Sequence, residues 1–183
     1  MSFRTVVISK RCKLDLRPVS MAKYCEIINT FVPFTLNKKS LISAVISRLE
    51  KESVKDDYYL RGQKLLSETE KYIDDLCYEL DCVLEYTKLS MGSIIKAASP
   101  EIQDCYESLP EKIIDYMELV REFEGERLFI MVNVRSYFTD EEMASFIETA
   151  INHGIKILLL ESTERPKLKN EIRLTVDKDL CVF

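Results

Sequence analysis

Three residues with chemical potential sit close together in "RLFIMVNVRSYFTDEEM", residues 127–143: Asn133, Arg135 and Tyr137. They follow an apolar run, Leu128 to Val132, and precede a Thr-Asp-Glu-Glu turn that opens a helix. A strand feeding a helix through a polar turn is where α/β proteins often place ligand chemistry. The spacing therefore sets an active site against a structural corner.

The rest of the chain supplies little for an active site to use. His153 is the single histidine and lies in an Asn-His-Gly turn, where capping a helix end is its expected role. Without it no Ser/His/Asp or Cys/His arrangement can be assembled. The four glycines (Gly62, Gly92, Gly125, Gly154) are too scattered to gather backbone N–H groups around a phosphate, so no nucleotide is expected. Six cysteines without a C-x-x-C pair lack zinc-ligand spacing, and reduced thiols are expected of them. These patterns predict a protein that is not an enzyme.

Charge is where the sequence is uneven. Net charge is -5, yet residues 37–64 carry seven basic and four acidic residues while residues 65–85 carry one and seven. Lys38, Lys39, Arg48, Lys51, Lys55, Arg61 and Lys64 are the candidate polyanion contacts. Arg48, Lys51 and Lys55 at i, i+3 and i+7 predict one basic ridge along a helix. The acidic stretch Asp74, Asp75, Glu79, Asp81 and Glu85 offers oxygen ligands that can hold calcium; a solvated acidic surface is the alternative.

The elements that must position these residues follow from periodicity. Residues 4–8 and 12–16 read as short strands, Pro18 stops them, and a further strand is expected near Ile27 to Val32. Asn37 is the expected N-cap of a helix with an apolar stripe of Leu41, Ile42, Val45, Ile46 and Leu49. A second helix, Asp57 to Leu80, turns Leu65, Leu66, Thr69, Ile73, Leu76 and Leu80 inward, and the two can pack as an antiparallel hairpin. A strand over Val83 to Tyr86 and helices over Ser90 to Ala98 and Leu109 to Phe123 come next. Pro110 suits the first turn of the last helix and Gly125 its end.

Residues 127–160 read as a β-α-β unit: strand 127–133, helix 139–152, strand 155–160. Its continuous apolar runs predict parallel strands buried on both faces. Strand 171–176 and the tail Leu180 to Phe183 complete a small sheet. The fold class is α/β, or α+β overall: a small, mostly parallel sheet with flanking helices as a head, plus a helical leg. Residues 1–36 and 84–183 are assigned to the head and 37–83 to the leg, with part of 90–123 contributing to it.

Composition agrees with a globular chain, at 46% apolar and 31% charged. The longest apolar run, Ile155 to Leu160, is far below the roughly 18 residues of a membrane span. No signal peptide is legible at the start, and a cytoplasmic protein is expected, with no membrane partner.

From about Phe31 to Phe183 the chain resembles the accessory protein of type II-A CRISPR adaptation, the Csn-two family. The resemblance is carried by "FTLNKKSLISAV" (34–45), "LEYTKLSMGSIIKA" (84–97), "YESLPEKIIDYMELV" (106–120), "LFIMVNVRSYFTDEE" (128–142), "ILLLESTERPKL" (157–168) and "LTVDKDLCVF" (174–183). It implies a head shaped like P-loop ATPases without a working phosphate loop, and a helical leg. It also implies four copies in a ring around double-stranded DNA, loading at its ends to assist spacer acquisition with the CRISPR integrase and type II effector nuclease. Calcium is implied as a structural ion, with Glu85, Asp81 and Glu79 as its ligands here; Val83 and Lys88 stand where the family carries acids. The opening "FRTVVISKRCKLDL" (3–16) is instead similar to the start of the type II CRISPR integrase subunit, which implies a shortened or chimeric head. An interaction remnant or regulator of the adaptation complex that does not load DNA is the alternative function.

On this background the opening stretch reads as structure. Thr139 and Glu142 form a capping box. Arg135 is expected to pair with Glu161 or Glu164 across the sheet edge. Arg135, Tyr137, Glu161 and Arg165 are thus expected to form a structural or subunit-contact corner.

Overall fold

The computed structural model describes residues 4–8, 21–80 and 85–176. The expected strand at 12–16, the tail Leu180 to Phe183, Asp81 and Val83 lie outside the described residues. By internal contacts the chain divides into two compact units. One takes in the described residues of Met1–Leu36 and Asp104–Phe183, the other Asn37–Gln103.

The first unit is α/β. Strands β1 (Arg4–Ile8), β2 (Cys25–Ile28, after a single helical turn α1, Met21–Tyr24), β3 (Leu128–Val132), β4 (Lys156–Glu161) and β5 (Arg173–Val176) form a sheet in the order β2-β3-β4-β1-β5. β2, β3 and β4 run parallel, with Ile27 beside Ile130 and Val132 beside Leu160. β1 is antiparallel to both β4 and β5. β3 is buried through Phe129, Ile130 and Met131, as its unbroken apolar run predicts; β4 alternates, burying Ile157, Leu159 and Glu161.

Two helices of the second half follow their sequence signals closely. They are α5 (Leu109–Glu124) and α6 (Asp140–Asn152). Ser108 caps α5 by accepting from the Glu111 N–H, and Gly125 ends it at φ 91°, where a side chain would be strained. Thr139 and Glu142 exchange the two bonds of the expected capping box at the start of α6. The buried stripes Ile113, Ile114, Tyr116, Met117, Val120 and Met143, Phe146, Ile147, Ala150 recur at helical spacing. Each such fully buried large side chain stabilises the fold by about 1.5–3 kcal/mol. The last strand starts at Arg173 rather than 171, because Glu171 is buried in the loop before it.

The second unit is helical: α2 (Lys39–Ser53), α3 (Asp56–Tyr78) and α4 (Met91–Ala97). Four expectations change here. Asn37 is not the N-cap of α2. Its side-chain amide donates to the Ile102 carbonyl at 3.1 Å and accepts from the Ile102 N–H at 2.7 Å, and Lys38 takes the cap position with no side-chain cap bond. Lys55 is not on α2; it is the N-cap of α3, one residue past Val54, so the predicted ridge is broken by the turn.

The inward stripe of α3 is also narrower than expected. Gly62 alone is fully buried, and Leu66, Thr69, Ile73 and Cys77 are half-buried; Leu65, Leu76 and Leu80 are exposed. Gly62 is small because α4 crosses close by, where an added Cβ would sit 3.3 Å from the Met91 side chain. Finally, Glu85 and Tyr86 belong to no strand. Ser90 and Ser93 form a capping box that starts α4.

Candidate nucleic-acid interface

The basic residues of α2 and α3 fall into two groups. Arg48 and Lys55 both pair with Glu52, at 3.1 and 2.8 Å, and Lys64 approaches Glu68 at 3.8 Å. The hydrogen bond from Lys55, with help from Arg48, holds the Glu52 carboxyl below its usual range. Lys39, Lys51 and Arg61 are exposed and make no ion pair among the described residues. A solvated ammonium without a carboxylate neighbour is the group most ready to exchange counterions for phosphates.

Lys39 also has a setting. α2 starts without a side-chain cap bond from Lys38, and the helix dipole adds partial positive charge beside Lys38 and Lys39. Lys39 lines a groove of about 420 Å³ with Ser43, Lys96, Ser99 and Glu101 over a floor of Ile42, Ile46 and Pro100. Lys96 reaches Glu50 at 2.9 Å from α4. Sequence spacing missed Lys96, because only the packing of α4 beside α2 brings it next to Lys39.

The acidic stretch is looser than its sequence density suggests. Glu79 caps the C-terminus of α3, while Glu85 lies exposed in the following coil. The Tyr86 hydroxyl donates to Asp74, and that bond to a carboxylate pushes the phenol up to about 12. Among the described residues no three carboxylate, histidine or cysteine groups gather closely enough to hold a metal. Calcium wants six to eight oxygens, and Asp81, one of the three expected ligands, lies outside the described residues.

The corner at the C-terminal edge of β3 and β4 is fully built. Asn133 adopts the left-handed conformation (φ 57°), and its side-chain oxygen accepts from both the N–H and the hydroxyl of Ser162 at 2.8 Å. Its own N–H donates to the Leu160 carbonyl at 2.8 Å, so the two strand ends are clamped together. Arg135, 3% exposed in a 3-10 turn (Val134–Ser136), donates its backbone N–H to Glu161 at 3.2 Å.

The guanidinium of Arg135 does not reach Glu161 or Glu164. It donates to Asp140 at 2.8 Å and to the Pro166 carbonyl at 3.0 Å, and lies 3.9 Å from Glu171. Arg173 closes the set, bonding Glu171 at 2.7 Å and the carbonyl of Arg165 at 2.7 Å. Arg165 touches Ser136 at 3.4 Å, and Tyr137, half-exposed, lays its ring on Phe31 with centroids 5.2 Å apart. Asp140, Glu171 and Arg173 are thus members that sequence reasoning missed. Asp140 reads as a helix-cap residue and Glu171 as a loop charge, and nothing local marks either as a partner of the buried Arg135. Burial pushes the Glu161 carboxyl up, against the pull of the Arg135 N–H and the nearby cations. Asp140, Arg135, Glu171 and Arg173 are committed to one another, which is the chemistry of a lock.

Comparison with known proteins bears on this arrangement. The family described as CRISPR-associated protein (Cas_Csn2) matches residues 9–180, nearly the whole chain. The chain belongs to the Csn2 family. Among solved structures it is similar to the crystal structure of Stu0660 of Streptococcus thermophilus, at 13% identity and a TM-score of 0.49. That match covers 77% of this chain and 48% of the other, so the chain spans about half the length of that structure.

Membership in the Csn2 family makes this a CRISPR-associated protein of α/β class. Among the described residues, no helix of this Csn2-family chain is long and apolar enough to cross a membrane.

Proposed function

We propose that this Csn2-family chain is a non-enzymatic accessory protein of CRISPR spacer acquisition that binds double-stranded DNA without reading its sequence. It works as a homotetramer alongside the CRISPR integrase and the type II effector nuclease. The observation that carries DNA binding is the exposure of Lys39, Lys51 and Arg61 without ion-pair partners among the described residues. Phosphate contacts position a protein on DNA and need only such cations. The corner around Arg135 supports a non-enzymatic role, since Arg135, Asp140, Glu171 and Arg173 are already paired with one another. An exposed α3 supports self-association: isolated helices are marginal in water, and most helical stability comes from packing an amphipathic face.

The test is binding to linear and closed circular duplexes of one sequence at several salt concentrations. Preference for the linear form, with affinity falling steeply as salt rises, supports loading at ends. Equal binding to circles overturns end-loading, and no binding at low salt overturns the DNA reading altogether. A second reading, an interaction remnant that assembles without loading DNA, is favoured by Glu52 and Glu68. These two residues sit against three of the seven basic candidates. An assembled protein with no affinity for either DNA form decides for it.

A further inference from the structure

We infer that the groove between α5 and α6 is a docking site for an arginine-bearing segment of a partner protein. The guanidinium is held by Glu111, Asp115 and Glu142, and its aliphatic stem lies on Pro110, Ile114 and Phe146. The inference rests on the proposed role alongside other proteins and names the surface on which one of them is taken up.

The first support is the shape and lining of the groove. It holds about 450 Å³, within the roughly 300–1,000 Å³ of ordinary ligand clefts. Pro110, Ile114 and Phe146 form its apolar side, and among the described residues no lysine or arginine lines it. Ile114 and Phe146 also belong to the packed interior, at 6% and 2% exposed, so this wall is held by the core. The caps at Ser108 and Thr139 fix the starts of the two helices that border it. A preformed cleft spares a ligand the ordering cost that a mobile surface adds.

The second support is charge, and it selects the occupant. Glu111, Asp115 and Glu142 line the groove and make no ion pair among the described residues. Glu142 accepts from the Thr139 N–H at 2.7 Å, which holds its side chain at the rim. α6 carries Asp140, Glu141, Glu142 and Glu148 and no basic residue. The cations of α5 are engaged elsewhere, Lys112 with Asp104 at 2.5 Å and Arg121 with Glu126 at 3.0 Å. His153, which lines the groove just past α6, is paired with Glu118. Carboxylates repel phosphates, so this groove is turned away from DNA. Apolar surface beside carboxylates suits a side chain with a methylene stem and a cationic head. The guanidinium is the better fit of the two such heads, because its fixed fork meets carboxylate oxygens in pairs and is more weakly hydrated than an ammonium. A free arginine would bring its own carboxylate against the same surface, whereas a residue within a chain would not.

The test is fluorescence anisotropy of a labelled peptide, acetyl-Gly-Leu-Arg-Arg-Leu-Gly amide, with the full chain at several salt concentrations. Binding is expected and should weaken as salt rises. A lysine version should bind less tightly, and an uncharged citrulline version at least tenfold less tightly. Glu111→Gln/Asp115→Asn keeps the shape of the groove, removes two charges and is expected to lower affinity at least tenfold. Asp57→Asn/Glu164→Gln removes two exposed charges outside the groove and is expected to leave affinity unchanged. Equal losses in the two double variants, equal affinity for the citrulline peptide, or no binding at low salt overturn the inference. Ser145→Arg, at the exposed rim, sets this chain's own guanidinium against the carboxylates and is expected to abolish peptide binding. Full affinity in that variant overturns the site. A linear duplex measured in parallel separates the two readings. DNA binding without peptide affinity overturns this inference alone, and peptide binding without DNA affinity overturns the proposed DNA role and leaves the groove standing.

Discussion

Arg135 and Glu161 are joined through the backbone of the arginine and not through its charge. The Arg135 N–H donates to the Glu161 carboxylate at 3.2 Å, while the guanidinium turns the other way to Asp140 at 2.8 Å. One residue thereby ties the end of β4 to the start of α6. The loop carrying Pro166 and Glu171 is held by the same side chain.

Arg135→Ala should be strongly destabilising. It leaves the Glu171 side chain, 1% exposed, with one cationic partner fewer, and it strips the Pro166 carbonyl of a donor. Arg173 stays on Glu171 at 2.7 Å, so the loss is mainly that of the charged hydrogen bonds to Asp140 and Pro166, about 1.5–3 kcal/mol. Arg135→Lys should recover only part of this, since one ammonium cannot span Asp140 and Pro166 as the planar fork does. Chemical denaturation of both variants checks the order, and an alanine variant as stable as the parent would show that the corner is incidental.

Glu161→Gln should behave differently. The amide oxygen can still accept the Arg135 N–H, and the burial that raises the acid's pKa no longer has a charge to penalise. A carboxyl with a raised folded-state pKa binds its proton more tightly folded than unfolded, so its penalty is present at neutral pH. That penalty is relieved as pH falls through the folded pKa towards the ordinary value of 4.5. The variant is therefore expected to match or exceed the parent near pH 7, with the difference shrinking towards pH 4.5. A difference that grows on acidification would reverse the assignment.

Lys39→Ala and Lys51→Ala should each flatten the salt dependence of DNA binding. One phosphate contact contributes about 0.9 to the slope of log affinity against log salt. Arg48→Ala should change it less, because Glu52 already neutralises that side chain at 3.1 Å. Identical slopes for all three variants would place the contact surface elsewhere.

Calcium provides a further check. Glu79 and Glu85 meet no third ligand among the described residues, so by themselves they should not let calcium raise the melting temperature. A rise with calcium that Glu85→Ala removes would mean that residues around Asp81 complete a site.

Much of the second half was legible because its signals are local. The Thr139–Glu142 box, Ser108, Pro110 and Gly125 act over three or four residues, and β3 and β4 announce themselves by apolar runs. Even the corner could be placed at the strand edge, because β-α-β order puts the ends of β3 and β4 side by side. Its partners could not be read, since Asp140 and Glu171 become neighbours of Arg135 only when α6 and the loop before β5 fold over it. The leg misled for the same reason. Asn37 has the composition of a cap, but Ile102, 65 residues on, supplies both bonds its amide makes. The basic ridge assumed a helix that continues to Lys55, whereas α2 ends at Ser53.

The sequence by itself determined the element types, their caps, the Csn2-type order of motifs and the separation of basic from acidic segments, because these depend on neighbours along the chain. Only the tertiary structure decided which charges are spent and which remain available. Glu52 silences Arg48 and Lys55, the corner consumes Arg135 and Arg173, and Lys39, Lys51 and Arg61 are left exposed. Whether a charge is paired depends on distances of 3–4 Å between side chains that can be far apart in sequence, and composition carries no record of those distances.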